Sequence, residues 1–264
     1  MRLTYETLAL DRPEPHLLRV TLNRPDAANA LNTQMGRDLH DLFEQFQLDT
    51  HDLRVIIVTG AGEKAFCAGG DLKERKGMTD AQWQAQHAVY ERAVRAILAC
   101  PVPVIAAVNG AAYGGGCEIA SLCDFIYASD NTKFALTEVT LGIMPGAGGT
   151  QTLPRAMGER RAKEVILTGL PFTAAEGAQW GFVNKVLPQS ELIEAAMVTA
   201  RRIASNGPIA VRQAKQAIAR GLQMSIADGL AFEIEAYNRM VPTDDRREGI
   251  LAFNEKRKPN FRGV

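Results

Sequence analysis

Apolar positions follow two periods along this chain. Short apolar or β-branched runs read as strands at residues 17–22, 55–59, 104–108, 125–128, 134–136 and 183–187. The first is closed by the turn cluster Asn23-Arg24-Pro25-Asp26. Elsewhere the spacing is helical. Met35, Leu39, Leu42, Phe43 and Phe46 share one face of a helix predicted over 33–46, with Asn32 as its N-cap. A second long helix, over 79–98, has Val89, Ala93, Ala96 and Ile97 in its apolar stripe and stops before Pro101 and Pro103. Shorter helices are expected at 116–123, 160–168 and 174–180. After residue 190 the strand signal ends, and helices are predicted at 191–204, 208–220, 225–240 and 244–253. The chain therefore divides into a mixed α/β unit, 1–190, and a helical region, 191–264.

Composition narrows the function. Of 264 residues, 46% are hydrophobic, enough for a sizeable core, yet no apolar run approaches the roughly 18 residues that span a bilayer. Lys+Arg and Asp+Glu are 30 each, which removes a global electrostatic case for nucleic acid or an anionic membrane. The face of the 33–46 helix opposite its apolar stripe is mixed and, up to Asp52, mainly acidic. Cys67, Cys100, Cys117 and Cys123 have neither zinc-ligand nor disulfide-framework spacing, and the N-terminus lacks an apolar signal core, so a reducing, cytoplasmic location is expected. His16, His40, His51 and His87 have no ligand spacing and read as surface or structural; no metal is expected.

Candidate chemistry lies between residues 60 and 151. Two glycine-rich loops each follow a strand, one ending in Gly69-Gly70-Asp71, the other in Gly114-Gly115-Gly116. Glycine allows a backbone N–H to approach a ligand closely, and a helix start leaves its first N–H groups unpaired. Gly70 and Gly115 together make a candidate two-donor hole for an oxygen that becomes negative. Glu118 lies one turn beyond Gly115, and Glu138 precedes a third glycine cluster, Gly146, Gly148 and Gly149. Two neighbouring carboxyl groups repel as anions, so one can hold a proton while the other stays ionised, the requirement for an acid–base pair. Singly, each feature has a plainer reading: a tight turn, a helix-dipole acid, a strand-end charge. The loop lacks the G-x-G-x-x-G spacing of a dinucleotide site.

These motifs resemble the crotonase (enoyl-CoA hydratase/isomerase) superfamily. The resemblance covers N-R-P-D-A-A-N-A-L at 23–31, A-F-C-A-G-G-D-L-K-E at 65–74, G-G-G-C-E at 114–118, E-V-T-L-G-I-M-P-G-A-G-G-T-Q at 138–151 and F-N-E-K-R-K-P-N-F at 253–261. It implies an α/β fold, a spiral of ββα turns with a C-terminal helical trimerisation region, giving homotrimers or hexamers. It implies that Gly70 and Gly115 bind the thioester oxygen, that Glu118 activates the water added to Cβ, that Glu138 protonates Cα, and that Gly146 orients the water and Glu138. Ala28, Ala68, Gly70, Asp71, Leu72, Lys73 and Gly115 would line the CoA-ester path, with Phe253 and Lys256 reaching it from a neighbouring subunit. Coenzyme A is part of the substrate; no cofactor is implied.

With both glutamates present, hydration of a 2-enoyl-CoA to a 3-hydroxyacyl-CoA is the expected activity. A Δ3,Δ2-enoyl-CoA isomerase is the nearest rival, and a non-catalytic acyl-CoA- or RNA-binding protein the rival of a different class. D-L-K-E-R-K-G-M at 71–78 and L-P-R-A-M-G at 153–158 resemble methylglutaconyl-CoA hydratases, which implies that Arg75 or Lys76 meets a second carboxylate; the alternative is a solvated charge run. The stretch 32–52 has no lysine, so RNA binding through a lysine-rich first helix is not expected.

Overall fold

From residue 55 to residue 135, successive strands alternate between two sheets. The computed structural model describes residues 2 and 4–264. Its larger sheet contains β1 (Leu8–Asp11), β2 (Leu17–Leu22), β3 (Val55–Gly60), β5 (Val104–Val108), β7 (Phe125–Ser129) and β10 (Lys185–Leu187), in the order β1-β2-β3-β5-β7-β10. The smaller sheet contains β4 (Ala65–Cys67), β6 (Ala111–Tyr113), β8 (Lys133–Ala135) and β9 (Phe172–Thr173), in that order. Pairing is parallel except at β1–β2 and β8–β9. Each central turn places one strand in each sheet and continues into helix. This is the expected α/β spiral of ββα turns.

The helices between strands are α1 (Thr33–Leu48), α2 (Leu72–Arg75), α3 (Asp80–Leu98), α4 (Gly115–Leu122), α5 (Gly149–Met157), α6 (Glu159–Thr168) and α7 (Ala174–Gln179). Asn32 caps α1 as expected, its Oδ1 accepting the Met35 N–H at 2.9 Å. Four helices follow: α8 (Leu192–Ala204), α9 (Pro208–Gly221), α10 (Ile226–Asn238) and α11 (Asp244–Asn254). Among the described residues no helix is long and apolar enough to cross a membrane.

The large sheet is buried on both faces, which is why β3 reads as an unbroken apolar run rather than an alternating one. Ile56, Val58, Ala106 and Val108 join Leu39, Phe43 and Ile97 of α1 and α3 in the main core. Val55, Ile57, Ile105 and Ala107 face the other way, against Leu192, Ala196 and Ala200 of α8. By contrast α9–α11 bury few residues and expose Ile218, Leu222, Ile226, Leu230 and Phe253.

Three kinds of element escape the sequence pattern. The strands β4 and β6 have three residues each, too few for a period to show, and lie inside stretches read as glycine loops. The single-turn α2 is held by the Asp71 side chain, which accepts from the N–H groups of Lys73 and Glu74. In α5, an internal Pro154 hides a helix that begins at Gly149.

The two sheets and α4 meet without clearance. A Cβ on Gly116 would lie 2.1 Å from the Cys67 carbonyl oxygen at the end of β4. Gly116→Ala is expected to destabilise the fold by about 1–3 kcal/mol in denaturant unfolding, the range for overpacking. Gly221→Ala, where a Cβ meets nothing within 4 Å at the end of α9, is the control and should change stability by less than about 1 kcal/mol. Equal effects of the two would show that the approach of β4 and α4 can relax.

Candidate active site

The loop after β4 is fastened by backbone bonds to Leu31. Leu31 N–H donates to Gly69 O at 2.7 Å, and Asp71 N–H donates to Leu31 O at 2.9 Å. These two bonds flank Gly70 and turn its own N–H to the other side. Arg24 secures the loop further, bonding Ala30 O and pairing with Asp71 at 2.9 Å. Buried Asn29 donates to Ala61 O and Ala65 O, tying the same corner to the chain entering β4.

The second loop leaves β6 through Gly114, at φ 49°, and enters α4 at Gly115. A Cβ on Gly115 would sit 3.9 Å from the Gly70 nitrogen. Among the described residues, neither the Gly70 nor the Gly115 N–H donates to a protein acceptor. Two unpaired amides thus lie side by side, the arrangement that stabilises a developing oxyanion.

Glu118, in the first turn of α4, is 2% exposed. Its Oε1 accepts the N–H groups of Ala147 and Gly149, both at 2.8 Å, where α5 begins. Burial pushes this carboxyl up to about 7; the Gly149 N–H opposes the shift, the Glu138 charge adds to it, and the Ala147 N–H opposes. Glu138 opens a single 3-10 turn. Its Oε1 lies 2.9 Å from where a Gly114 Cβ would be, and its Oε2 is buried with no partner in the protein. Burial raises the Glu138 carboxyl too, while the Arg75 charge lowers it. The structure therefore brings both glutamates to one site, as the spacing alone left open. Burial raises both carboxyl groups, which favours one shared proton on the pair.

Both glutamates, both glycines, Ala68 and Leu72 line a single cavity of about 440 Å³. Leu141, Ile143 and Met144 supply part of its apolar wall. Ala28, Asp71 and Lys73 stand outside the wall. Ala28 is exposed and accepts the Ala68 N–H, and the Asp71 carboxylate is engaged by Arg24 and the start of α2. Phe253 and Lys256 are exposed at the end of the last helix and beyond it. Gly146 does line the cavity, but its bare Cα makes room for His87: a Cβ there would come within 2.3 Å of the imidazole. The amides that hold a carboxylate belong to its neighbours, and the carboxylate is that of Glu118.

His87, read from sequence as surface or structural, is a wall residue. So are Trp83, Tyr90 and Arg75, whereas Lys76 is exposed and outside the wall. The missed signal is the spacing 83, 87, 90, which puts three ring-bearing side chains on one face of α3. Cys117 is buried and its thiol is pushed well up by burial, which suits packing rather than nucleophilic attack.

Residues 13–264 match the family model described as enoyl-CoA hydratase/isomerase. A short-chain-enoyl-CoA hydratase of Clostridium acetobutylicum is 45% identical over 239 residues, 90% of this chain and 91% of that protein. A crotonyl-CoA hydratase of Syntrophomonas wolfei is 40% identical over 259 residues, 98% of this chain and 99% of that one. The crystal structure of an enoyl-CoA hydratase from Bacillus anthracis superposes with a TM-score of 0.96 at 45% identity, covering 98% of this chain and 100% of the other.

The raised Glu118 carboxyl has a cost for stability. Its proton is held more tightly in the folded chain, so its contribution is fully present below the unfolded value near 4.5 and is lost as pH rises through about 7. Glu118→Gln keeps an acceptor for both N–H groups and carries no charge. Thermal unfolding should find the variant more stable than the wild type by up to about 3 kcal/mol near pH 8, the gain disappearing toward pH 5. Parallel stability profiles would mean that the carboxylate is solvated in the folded chain.

Proposed function

The chain belongs to the enoyl-CoA hydratase/isomerase family, and from that premise we propose that it is an enoyl-CoA hydratase acting on short 2-enoyl-CoA thioesters. One observation carries the reading: two acceptor-free amides, one buried carboxyl group and one half-buried one share one cavity. The names of the Clostridium and Syntrophomonas relatives support it.

The thioester oxygen accepts from the N–H groups of Gly70 and Gly115. This draws electrons from the double bond and makes Cβ electrophilic. Loss of one such donor typically costs about 3–4 kcal/mol of transition-state stabilisation. A water between the carboxyl groups gives one proton to the ionised member of the pair as its oxygen bonds Cβ. Negative charge collects on the thioester oxygen as an enolate, and the neutral member delivers its proton to Cα. The 3-hydroxyacyl-CoA carries the water's hydroxyl at Cβ and the second glutamate's proton at Cα, the water's own proton stays on the first glutamate, and the two have exchanged protonation states. Because the two carboxyl groups differ by one shared proton, they work as a unit.

The remaining roles rest on the family resemblance. Ala68 and Leu72 flank the acyl-CoA path, with Ala28, Asp71 and Lys73 farther out. Phe253 and Lys256 serve a neighbouring subunit's cofactor portion. The apolar residues exposed on α9–α11 suit burial between copies, as a homotrimer or a pair of trimers; contiguous exposed apolar surface marks such interfaces.

Mixing the protein with crotonyl-CoA should abolish the conjugated enoyl-thioester absorbance. Glu138→Gln is expected to lower turnover by roughly 10²–10⁴-fold, the usual worth of a positioned acid or base, and to keep CoA-ester affinity within a few-fold. Bound crotonyl-CoA that keeps its absorbance with the wild type would overturn the hydratase reading. Full turnover by the variant would remove Glu138 from the mechanism.

A further inference from the structure

Leu31 touches both halves of the oxyanion site. Its backbone forms a parallel bridge to Gly70, through the bonds to Gly69 O and from Asp71 N–H. Its side chain is 4% exposed and packs at the other donor: Leu31 Cδ2 lies 3.3 Å from where a Gly115 Cβ would be. The separation of the two amides therefore runs through one residue.

Leu31 is in turn held from α3. The Tyr90 hydroxyl donates to Leu31 O at 2.8 Å, so this carbonyl accepts twice, from Tyr90 and from Asp71 N–H. Tyr90 is 4% exposed, and its ring lies against bare Gly36 of α1, where a Cβ would come within 2.7 Å of Tyr90 Cδ1. A ring in so close a slot keeps its place, and with it the direction of its hydroxyl. One turn earlier on α3, Gln86 Nε2 donates to Thr33 Oγ1 at 2.8 Å. The segment from Leu31 to Thr33 is thus gripped by α3 at two points. Among the described residues, Trp83 and His87, the other rings of this wall, make no hydrogen bond to that segment.

We propose that Tyr90 is a positioning residue for the reaction: through Leu31 O it fixes the Gly70 amide relative to the Gly115 amide and so sets the strength of the oxyanion hole. The proposal rests on the hydratase reading of the same cavity. The hydroxyl proton is committed to Leu31 O, so Tyr90 acts on the thioester through the backbone and not by donating to it. Without the hydroxyl, Leu31 O still accepts from Asp71 N–H, and the loop stays in place with less restraint. A donor displaced by a fraction of an ångström loses more against the enolate than against the ground-state carbonyl, because the enolate oxygen carries more charge.

Two thioesters separate positioning from packing. Sorboyl-CoA, a conjugated dienoyl thioester, absorbs farther to the red when its carbonyl is polarised, and so reads the donors directly. Butyryl-CoA cannot be hydrated and reads affinity alone. Tyr90→Phe should lower kcat for crotonyl-CoA by roughly 10- to 100-fold, the range for a small misplacement of a catalytic group. It should keep the butyryl-CoA dissociation constant within a few-fold and shrink the red shift of bound sorboyl-CoA. Gly36→Ala keeps the hydroxyl but displaces the ring, and should give the same signature. Combining the two should add little, because both act through one bond. A Tyr90 that only packs the cavity would weaken butyryl-CoA binding and leave the red shift intact in Tyr90→Phe. That result, or full turnover with an unchanged shift, overturns the proposal, while hydration of crotonyl-CoA by the wild type keeps the hydratase reading. If the wild type shifts sorboyl-CoA without hydrating crotonyl-CoA, and Tyr90→Phe still shrinks the shift, the positioning role stands and the hydratase reading fails. A wild type that binds sorboyl-CoA with no shift overturns both.

Discussion

Everything in the site depends on two backbone segments approaching each other with no side chain between them. Gly69, at φ 99°, would place a Cβ 2.9 Å from the Tyr113 carbonyl, and Gly116 has no space at all against Cys67. That closeness lets β4 and β6 pair as neighbours in the small sheet and sets the Gly70 and Gly115 amides side by side. The same approach fixes α4, whose first turn carries Glu118. A single side chain inserted here would separate the donors, tilt the helix and displace the carboxylate together. The glycines are required by contact geometry as much as by the substrate.

The carboxyl pair shows the opposite economy. Burial that raises Glu118 toward neutrality works against the folded state whenever the group is charged. Two amides at the start of α5 compensate in part, and their positive end of the helix favours the anion. Glu138 receives less help from the backbone and keeps one oxygen without a protein partner. The site thus holds one carboxyl by fixed dipoles and leaves the other ready for a moving proton. Such uncompensated groups are where activity opposes stability.

Much of this was legible before the fold was known. The long helices, the buried β3 run, the Asn32 cap and the two glycine loops are local signals, and the structure places them within a few residues of the expected bounds. What escaped was set by tertiary contact. Three-residue strands have no readable period. Asn29 looks like a turn residue, yet its amide ties together the corner beneath β4. Arg75 and Lys76 are adjacent and chemically alike in sequence; only the turn of α2 sends one into the cavity and leaves the other outside. His87 gave no cluster with other histidines, but its neighbours Trp83 and Tyr90 on α3 mark the wall that it joins.

The alternation of strands between two sheets has a consequence for how such a protein can change. The oxyanion donors sit at equivalent places in consecutive turns of the spiral, so their spacing is set by the pitch of the coil. The acyl wall is drawn instead from α2, α3 and the short turn after Glu138, segments that hang on the outside of that coil. Substitutions there can redraw which acid fits without touching the pitch. Reaction and selectivity are thereby stored in separable parts of one chain, and a lineage can exchange substrates while keeping its chemistry intact.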